Sequence, residues 1–287
     1  MRDTKLVYLL VALILVSLGA LGCAGILGCG VEYEMVEERD INEASGIASS
    51  LKTPGLLYTH NDSGGKNVVY VLNKMGLMPA KIVLEGVRNR DWEDIAVARD
   101  PKTGVSHVYL GDIGDNLAQY SSCTVYRFAE PAITDTLIRV KEIEKIEFAY
   151  EDGPRDAEAM FVDPRSGDIF IISKREKNSG IYKIPHPQST TLLNVAKRVG
   201  SLPYNWVTAA DICPSGKYIL VKTYSAINRY TRGSGKSICE ALDGRCKSMK
   251  YKLEEQGEAV AWDHRGRGYF TLSERIGTTP VDLYYYK

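Results

Sequence analysis

Short apolar runs alternate with turn residues along the chain after residue 30. The runs are rich in Val, Ile, Tyr and Phe, as in VVYVL at 68–72 and IFII at 169–172, and turns such as DPRSG at 163–167 separate them. Val, Ile, Tyr and Phe favour strands, whereas Gly, Pro, Asn and Asp favour turns. The pattern therefore predicts an all-β chain.

Five of these runs have similar openings, which indicates an internal repeat. The openings recur about every 50 residues, apart from one longer step after the second, and they begin at Glu43, Glu93, Glu158, Thr208 and Glu258. Up to four strands in each repeat at this period are typical of β-propeller blades. We therefore expect a five-bladed β-propeller with four-stranded blades. A sixth blade is the alternative if the insertion at 130–152 hides a degenerate repeat, and a β-sandwich is the competing fold.

The two ends of the repeat region predict how the ring closes. The last repeat has three strands, and the apolar stretch VEYEMV at 31–36 precedes the first repeat without belonging to it. Pairing this stretch with the last repeat would supply a fourth strand and cover a sheet edge that would otherwise be free to pair. We expect residues 31–287 to form a single propeller domain.

The N-terminus has the pattern of an export signal. Arg2 and Lys5 precede an apolar run at 6–22, and small residues follow it. We expect residues 1–30 to be a signal peptide and the protein to be extracellular or in the secretory pathway. A retained signal anchor, or a lipid on Cys23 or Cys29, would instead tether it to a membrane. In an oxidising compartment, Cys239 and Cys246 are close enough in sequence to form a disulfide.

The charge of the chain argues against nucleic acid as a partner. The 36 basic residues balance the 36 acidic ones, and they are scattered rather than clustered into a basic patch. We expect a monomer whose partner is a small molecule, a glycan or a protein.

The repeated glutamates predict a metal site. Equivalent positions of propeller blades converge on the central axis, so the sequence places Glu43, Glu93, Glu158 and Glu258 together, with Thr208 in the fifth place. Carboxylates held close together repel each other unless protons, Lys or Arg side chains, or a cation offset the repulsion. Calcium suits such an all-oxygen site. Alternatively, each glutamate accepts hydrogen bonds from the backbone of a neighbouring blade.

The loops expected on the same face carry further polar residues. These candidate ligand-binding residues are Asp62, Asp112, Asp115, Lys174, Arg175, Lys222 and Arg275. Acidic and basic groups around a concave mouth favour a polar ligand. We expect the protein to bind a ligand or partner here, with axial calcium as support. The alternative is a calcium-dependent hydrolase of phosphate esters or glycosides, and no catalytic residue is assigned. Glu93 and Asp94 are adjacent on a strand and should point to opposite faces, which argues against their acting as a catalytic pair.

The motifs of this chain resemble those of a family of exported β-propeller proteins known mainly from bacterial genomes. The matching stretches are EASG at 43–46, NDSGG at 61–65, DWEDIA at 91–96, GDIGDN at 111–116, DAEA at 156–159 and QGEA at 256–259. The resemblance implies the propeller fold but no reaction. More distantly, the architecture is similar to that of the calcium-activated nucleotidases, which are five-bladed and have acidic residues around an axial calcium.

Overall fold

A computed structural model describes the backbone of residues 25–26 and the whole of residues 30–287. This part of the chain is almost entirely β-structure, with 22 strands and one short helix. Among these residues, no helix is long and apolar enough to cross a bilayer. The expected signal segment lies almost wholly outside the described residues, as do Cys23 and Cys29.

The strands form successive antiparallel groups, which we call units one to five. Unit one contains β3 (Ala44–Ser49), β4 (Leu56–Asn61), β5 (Val68–Asn73) and β6 (Ala80–Leu84). Unit two contains β7 (Trp92–Arg99), β8 (Ser106–Asp112), β9 (Cys123–Ala129) and β11 (Glu144–Tyr150). Unit three contains β12 (Ala157–Val162), β13 (Ile169–Ser173), β14 (Gly180–Ile184) and β15 (Asn194–Ser201).

The last two units differ in their outer strands. Unit four contains β16 (Val207–Ile212), β17 (Tyr218–Thr223), β18 (Ile227–Thr231), helix α1 (Ile238–Leu242) and β19 (Lys247–Ser248). Unit five contains β20 (Gly257–Trp262), β21 (Tyr269–Ser273) and β22 (Val281–Tyr286), followed in space by β2 (Val31–Val36) and β1 (Gly25–Ile26).

The first strands of the units lie side by side in a closed ring. β3 contacts β7, β7 contacts β12, β12 contacts β16, β16 contacts β20, and β20 returns to β3. Strands near the ring are buried on both faces, as in the largely apolar β13, whereas the outer strand β15 is largely exposed. A ring of radially arranged antiparallel sheets is a β-propeller-like, all-β fold, and it excludes two stacked layers.

An apolar cluster lies at each boundary between neighbouring units. Each cluster contains residues of both neighbouring units. From the boundary of units one and two round to that of units five and one, representative members are Tyr58 and Trp92, Phe148 and Ile171, Phe161 and Tyr230, Leu220 and Val260, and Leu272 and Leu57. Because the core is divided among these boundaries, each unit is stabilised by its two neighbours.

The predicted closure is confirmed. β2 pairs antiparallel with β22, from Val31 opposite Tyr286 to Val36 opposite Val281. The insertion at 130–152 supplies β11 to unit two and β10 (Leu137–Val140), which pairs in parallel with the outer strand β6. These two strands therefore extend existing units. A parallel pair between β11 and β15 also joins units two and three into one eight-stranded sheet.

The disulfide considered between Cys239 and Cys246 is not formed in this structure, where both residues are free thiols. Cys239 lies on α1 and packs against the apolar cluster between units three and four, whereas Cys246 is exposed in the loop that follows. Ser237 caps the helix by accepting a hydrogen bond from the Glu240 amide, while the Glu240 side chain accepts from the Ser237 amide. This local capping, rather than a covalent bond, fixes the segment.

Deleting β2 should destabilise the ring. A protein of residues 37–287 loses the β2–β22 ladder and the buried side chain of Val36. We expect it to lose at least about 3 kcal/mol of unfolding free energy relative to residues 30–287, or roughly 6–12 °C in melting temperature for a domain of this size. Thermal melting of the two proteins checks this, and equal melting temperatures would contradict the closure.

Candidate functional site

Each first strand begins with a β-bulge that turns one extra residue toward the central channel. The register shifts by one residue between positions 44 and 46, 92 and 94, 157 and 159, 207 and 209, and 257 and 259. The bulged residues are Ser45, Glu93, Glu158, Thr208 and Glu258, and all five are buried. Bulges re-aim side chains in this way, so these five residues occupy structurally equivalent positions.

The structure corrects the predicted equivalence of Glu43. Ser45 holds the position that corresponds to Glu93, and its hydroxyl donates to the Glu93 backbone carbonyl at 2.8 Å and to Oε2 at 3.2 Å. Glu43 lies two residues earlier and is exposed. Its backbone carbonyl accepts a hydrogen bond from the Asp62 amide at 2.8 Å, and the charge of its carboxylate raises the pKa of Asp62 and Glu274. The glutamate of the first repeat suggests one register, whereas the bulge shows that Ser45 holds the equivalent position.

Three carboxylates meet where units one and two join at the channel. Oxygens of Asp62, Asp91 and Glu93 all lie within 4.8 Å of one another; we call these three residues the acidic cluster. Burial, aided by the neighbouring acids, raises the pKa of Asp62 to about 7 and that of Asp91 to about 6. Burial and the charges of Glu158 and Asp62 raise the pKa of Glu93 well above its usual range. Asp91 was not among the predicted site residues, although it lies in the DWEDIA motif.

A glycine loop closes against the acidic cluster. Gly114 donates its amide to the Asp91 carbonyl at 3.2 Å, and a Cβ at this position would stand 2.5 Å from Asp91 Oδ2. Asp112 accepts from the Asp91 amide at 2.9 Å, and Asp115 accepts from the amides of Gln119 and Tyr120 at 2.9 and 2.8 Å. The structure thus places the predicted ligand residues Asp112 and Asp115 in the framework of this loop.

A hydrogen-bonded chain crosses the other side of the mouth. Lys174 forms an ion pair with Glu158 and donates to the Tyr224 hydroxyl at 3.0 Å, and that hydroxyl donates to Glu258 Oε1 at 2.7 Å. The second oxygen of Glu158, Oε2, is buried and has no hydrogen-bond partner among the described residues. Arg175 continues this side by pairing with Asp156, its Nε 2.5 Å from Oδ2. Glu158 and Glu258 therefore already have partners on this side of the mouth, whereas the Glu93 carboxylate accepts a hydrogen bond from the Ser45 hydroxyl at 3.2 Å.

Two predicted ligand residues contact protein instead. Lys222 is fully buried and donates to the Gly257 carbonyl and, at 3.0 Å, to the Tyr251 hydroxyl; burial lowers its pKa to about 8 despite nearby Glu254. Arg275 donates to the carbonyls of Val36 and Glu38, both at 3.0 Å, and so fixes the segment after β2 to unit five.

Asp94 reaches across the channel and bonds neighbouring strands. Its carboxylate accepts from the amides of Met160 on β12 at 2.8 Å and Ala210 on β16 at 3.3 Å. Asp211 similarly accepts from the Trp262 amide on β20 at 2.7 Å. The backbone-bonding role considered for the glutamates thus belongs to these aspartates. The expectation that Glu93 and Asp94 point to opposite faces is wrong, because the bulge breaks the alternation.

Trp206 is a feature of this face that the sequence did not indicate. Its side chain is 46% exposed and its φ is +57°, a left-handed conformation that is costly for a bulky residue. Trp92, which also precedes a repeat, is fully buried. Both tryptophans lie at or next to the start of a first strand, so the sequence alone does not show which of them is buried.

Comparisons with known proteins give a structural likeness only. No family model and no curated protein matches the chain. A crystal structure of a nidogen/laminin complex is similar, with 12% sequence identity over 85% of this chain and 82% of that chain and a TM-score of 0.47. A likeness of this size carries no argument about function.

The raised carboxylate pKa values predict that stability falls as pH rises when no cation is present. The folded protein holds protons that the unfolded chain releases near pH 4, up to the folded pKa values of about 6 for Asp91, 7 for Asp62 and 8 for Glu274. We expect the melting temperature in chelator to decrease from pH 5 to pH 8. Asp62→Asn should reduce this slope, and a melting temperature that rises over the window would contradict the assignment.

Proposed function

We propose that this protein is an exported, five-bladed β-propeller that binds a ligand or partner at its channel face, with a calcium ion held by the acidic cluster. The observation that carries the proposal is the mutual approach of the Asp62, Asp91 and Glu93 oxygens within 4.8 Å. Units one to five are the blades in this proposal. The family resemblance of the motifs and the expected signal at 1–30 support export.

The geometry of the acidic cluster fits a calcium ion. Calcium binds oxygen ligands at about 2.3–2.6 Å, so two ligands of one ion lie at most about 5 Å apart. Among the described ion pairs, none joins a Lys or Arg to Asp62, Asp91 or Glu93; Arg90 pairs with Asp112 instead, at 3.5 Å. With no paired base to offset their charge, these acids must hold protons or a cation. Water and backbone carbonyls would complete the six to eight ligands that calcium takes.

A binding role fits the remaining acids better than catalysis does. Glu158 is paired with Lys174, Glu258 accepts from Tyr224, and Asp94 accepts from backbone amides. Carboxylates that are fixed by such bonds position the strands and the mouth, but they do not present a free acid and base to a substrate. The channel face therefore offers a rigid polar surface for recognition.

Calcium should stabilise the protein through Glu93. At a calcium concentration 100 times the Kd, we expect a gain of about 2.7 kcal/mol, or roughly 5–10 °C in melting temperature. Glu93→Gln should remove most of this gain, because an amide replaces a charged ligand. Glu142→Gln, which changes an exposed acid, should keep it. The measurement is thermal melting in chelator and in millimolar calcium at pH 7.5, and no shift in the unaltered protein would refute the cation.

Gly114→Ala should weaken the cation site without removing any ligand. The added methyl group would collide with the carboxylates of Asp91 and Glu93 and push them apart. We expect at least about a tenfold weaker calcium affinity by titration calorimetry. Gly233→Ala is the matched control, because a Cβ there meets only the flexible Lys236 side chain at 3.4 Å. Equal affinities for the two variants would argue against the acidic cluster as the binding site.

A further inference from the structure

A second concavity lies beside the channel mouth, between the start of unit four and the turn after β17. It has a volume of about 720 Å³. All of its lining residues are uncharged, and the main ones are Tyr204, Asn205, Trp206, Thr223, Tyr224 and Ser225. We call it the aromatic cavity. Aromatic walls with a few polar groups are typical of small-ligand sites.

Trp206 gives this cavity an open apolar wall. The side chain is 46% exposed, and the backbone is held at φ +57° by an amide hydrogen bond to the Lys174 carbonyl at 2.8 Å. The indole therefore presents a fixed face to the cavity, and covering it would remove apolar surface from water. Tyr224 adds a second ring, oriented by its hydroxyl bond to Glu258.

The charges around the indole favour a neutral ligand. The Lys174 ammonium and the Arg175 guanidinium lie 5.9 and 5.7 Å from the centre of the indole ring, so the ring already has two cation–π partners and a ligand cation would gain little there. Glu158 and Asp156 already neutralise them, so they offer little attraction to an anion. The acids of the channel mouth add further repulsion toward anions.

The polar groups of the cavity match hydroxyl groups. The Asn205 amide and the Ser225 hydroxyl form no hydrogen bond within the described structure. An amide offers both donors and an acceptor, and a hydroxyl can do either. A pyranose ring presents hydroxyls at its edge and a patch of C–H bonds on its face, and those C–H bonds suit the negative face of an aromatic ring.

We propose that the aromatic cavity binds a neutral pyranose unit of a glycan, stacked on Trp206 with its hydroxyls bonded to Asn205 and Ser225. This proposal rests on the proposed function, since it names the ligand class of the channel face. The Tyr224 hydroxyl connects the cavity to the channel by donating to Glu258 at 2.7 Å.

Titration calorimetry of residues 30–287 tests the proposal with neutral trisaccharides of β-1,4-glucose, α-1,4-glucose and β-1,4-N-acetylglucosamine, and with a galacturonate trisaccharide as the anionic comparison. We expect at least one neutral trisaccharide to bind with a Kd below about 1 mM, and the galacturonate to bind at least about tenfold more weakly than it. No binding of any neutral trisaccharide at about 5 mM, or tighter binding of galacturonate, would overturn the proposal.

Three variants locate the site. Trp206→Gly should weaken binding at least about tenfold while keeping the melting temperature, because glycine accepts a positive φ without strain. Trp206→Phe keeps an aromatic face and should retain most of the affinity, and Asn205→Ala should weaken it several-fold. Unchanged affinity in Trp206→Gly would overturn the assignment, even if another part of the protein binds the sugar.

Running the titrations in chelator and in calcium separates the two proposals. Sugar binding without any calcium-dependent rise in melting temperature supports the aromatic cavity and refutes the cation. A calcium-dependent rise without sugar binding leaves the cation intact and refutes the glycan assignment.

Discussion

Carboxylates gathered at one axis by the closed ring of first strands are the constraint on which the rest of this structure depends. Burial and mutual repulsion make such a group costly unless each charge has a partner. The chain supplies partners in two ways: Asp94 accepts backbone amides of two other units, and Glu158 pairs with Lys174. For Asp62, Asp91 and Glu93, neither kind of partner fully offsets the charge. These three residues therefore form the strongest candidate site for a cation.

Much of the fold could be predicted from the sequence, because the features that determine it recur at regular intervals along the chain. Apolar runs, turn residues and a repeat near 50 residues predicted the all-β chain and the pairing of Val31–Val36 with the last unit. The details of the site did not follow, because the β-bulge inserts one residue that periodicity does not show. It made Ser45 rather than Glu43 the equivalent of Glu93, and it turned Glu93 and Asp94 to the same channel. The roles of Lys222 and Arg275 depended on distant partners in other segments, which no local pattern contains.

The two sides of the channel face carry different chemical groups. Units one and two supply the acidic cluster and the glycine loop over it, whereas units three and four supply Lys174, Arg175, Tyr224 and the exposed Trp206. A cation on one side would offset the repulsion among Asp62, Asp91 and Glu93. The orientation of Trp206 on the other side is fixed separately, by the hydrogen bond from its amide to the Lys174 carbonyl. Tyr224 of unit four also donates to Glu258 of unit five at 2.7 Å.

The most direct test of this account is an anomalous difference map, recorded at long wavelength, from crystals grown in calcium chloride near pH 7.5. The account predicts a peak at the channel mouth, about 2.3–2.6 Å from oxygens of Asp62, Asp91 and Glu93. A map with no peak there, with the three carboxylates hydrogen-bonded to one another or to water alone, would contradict it.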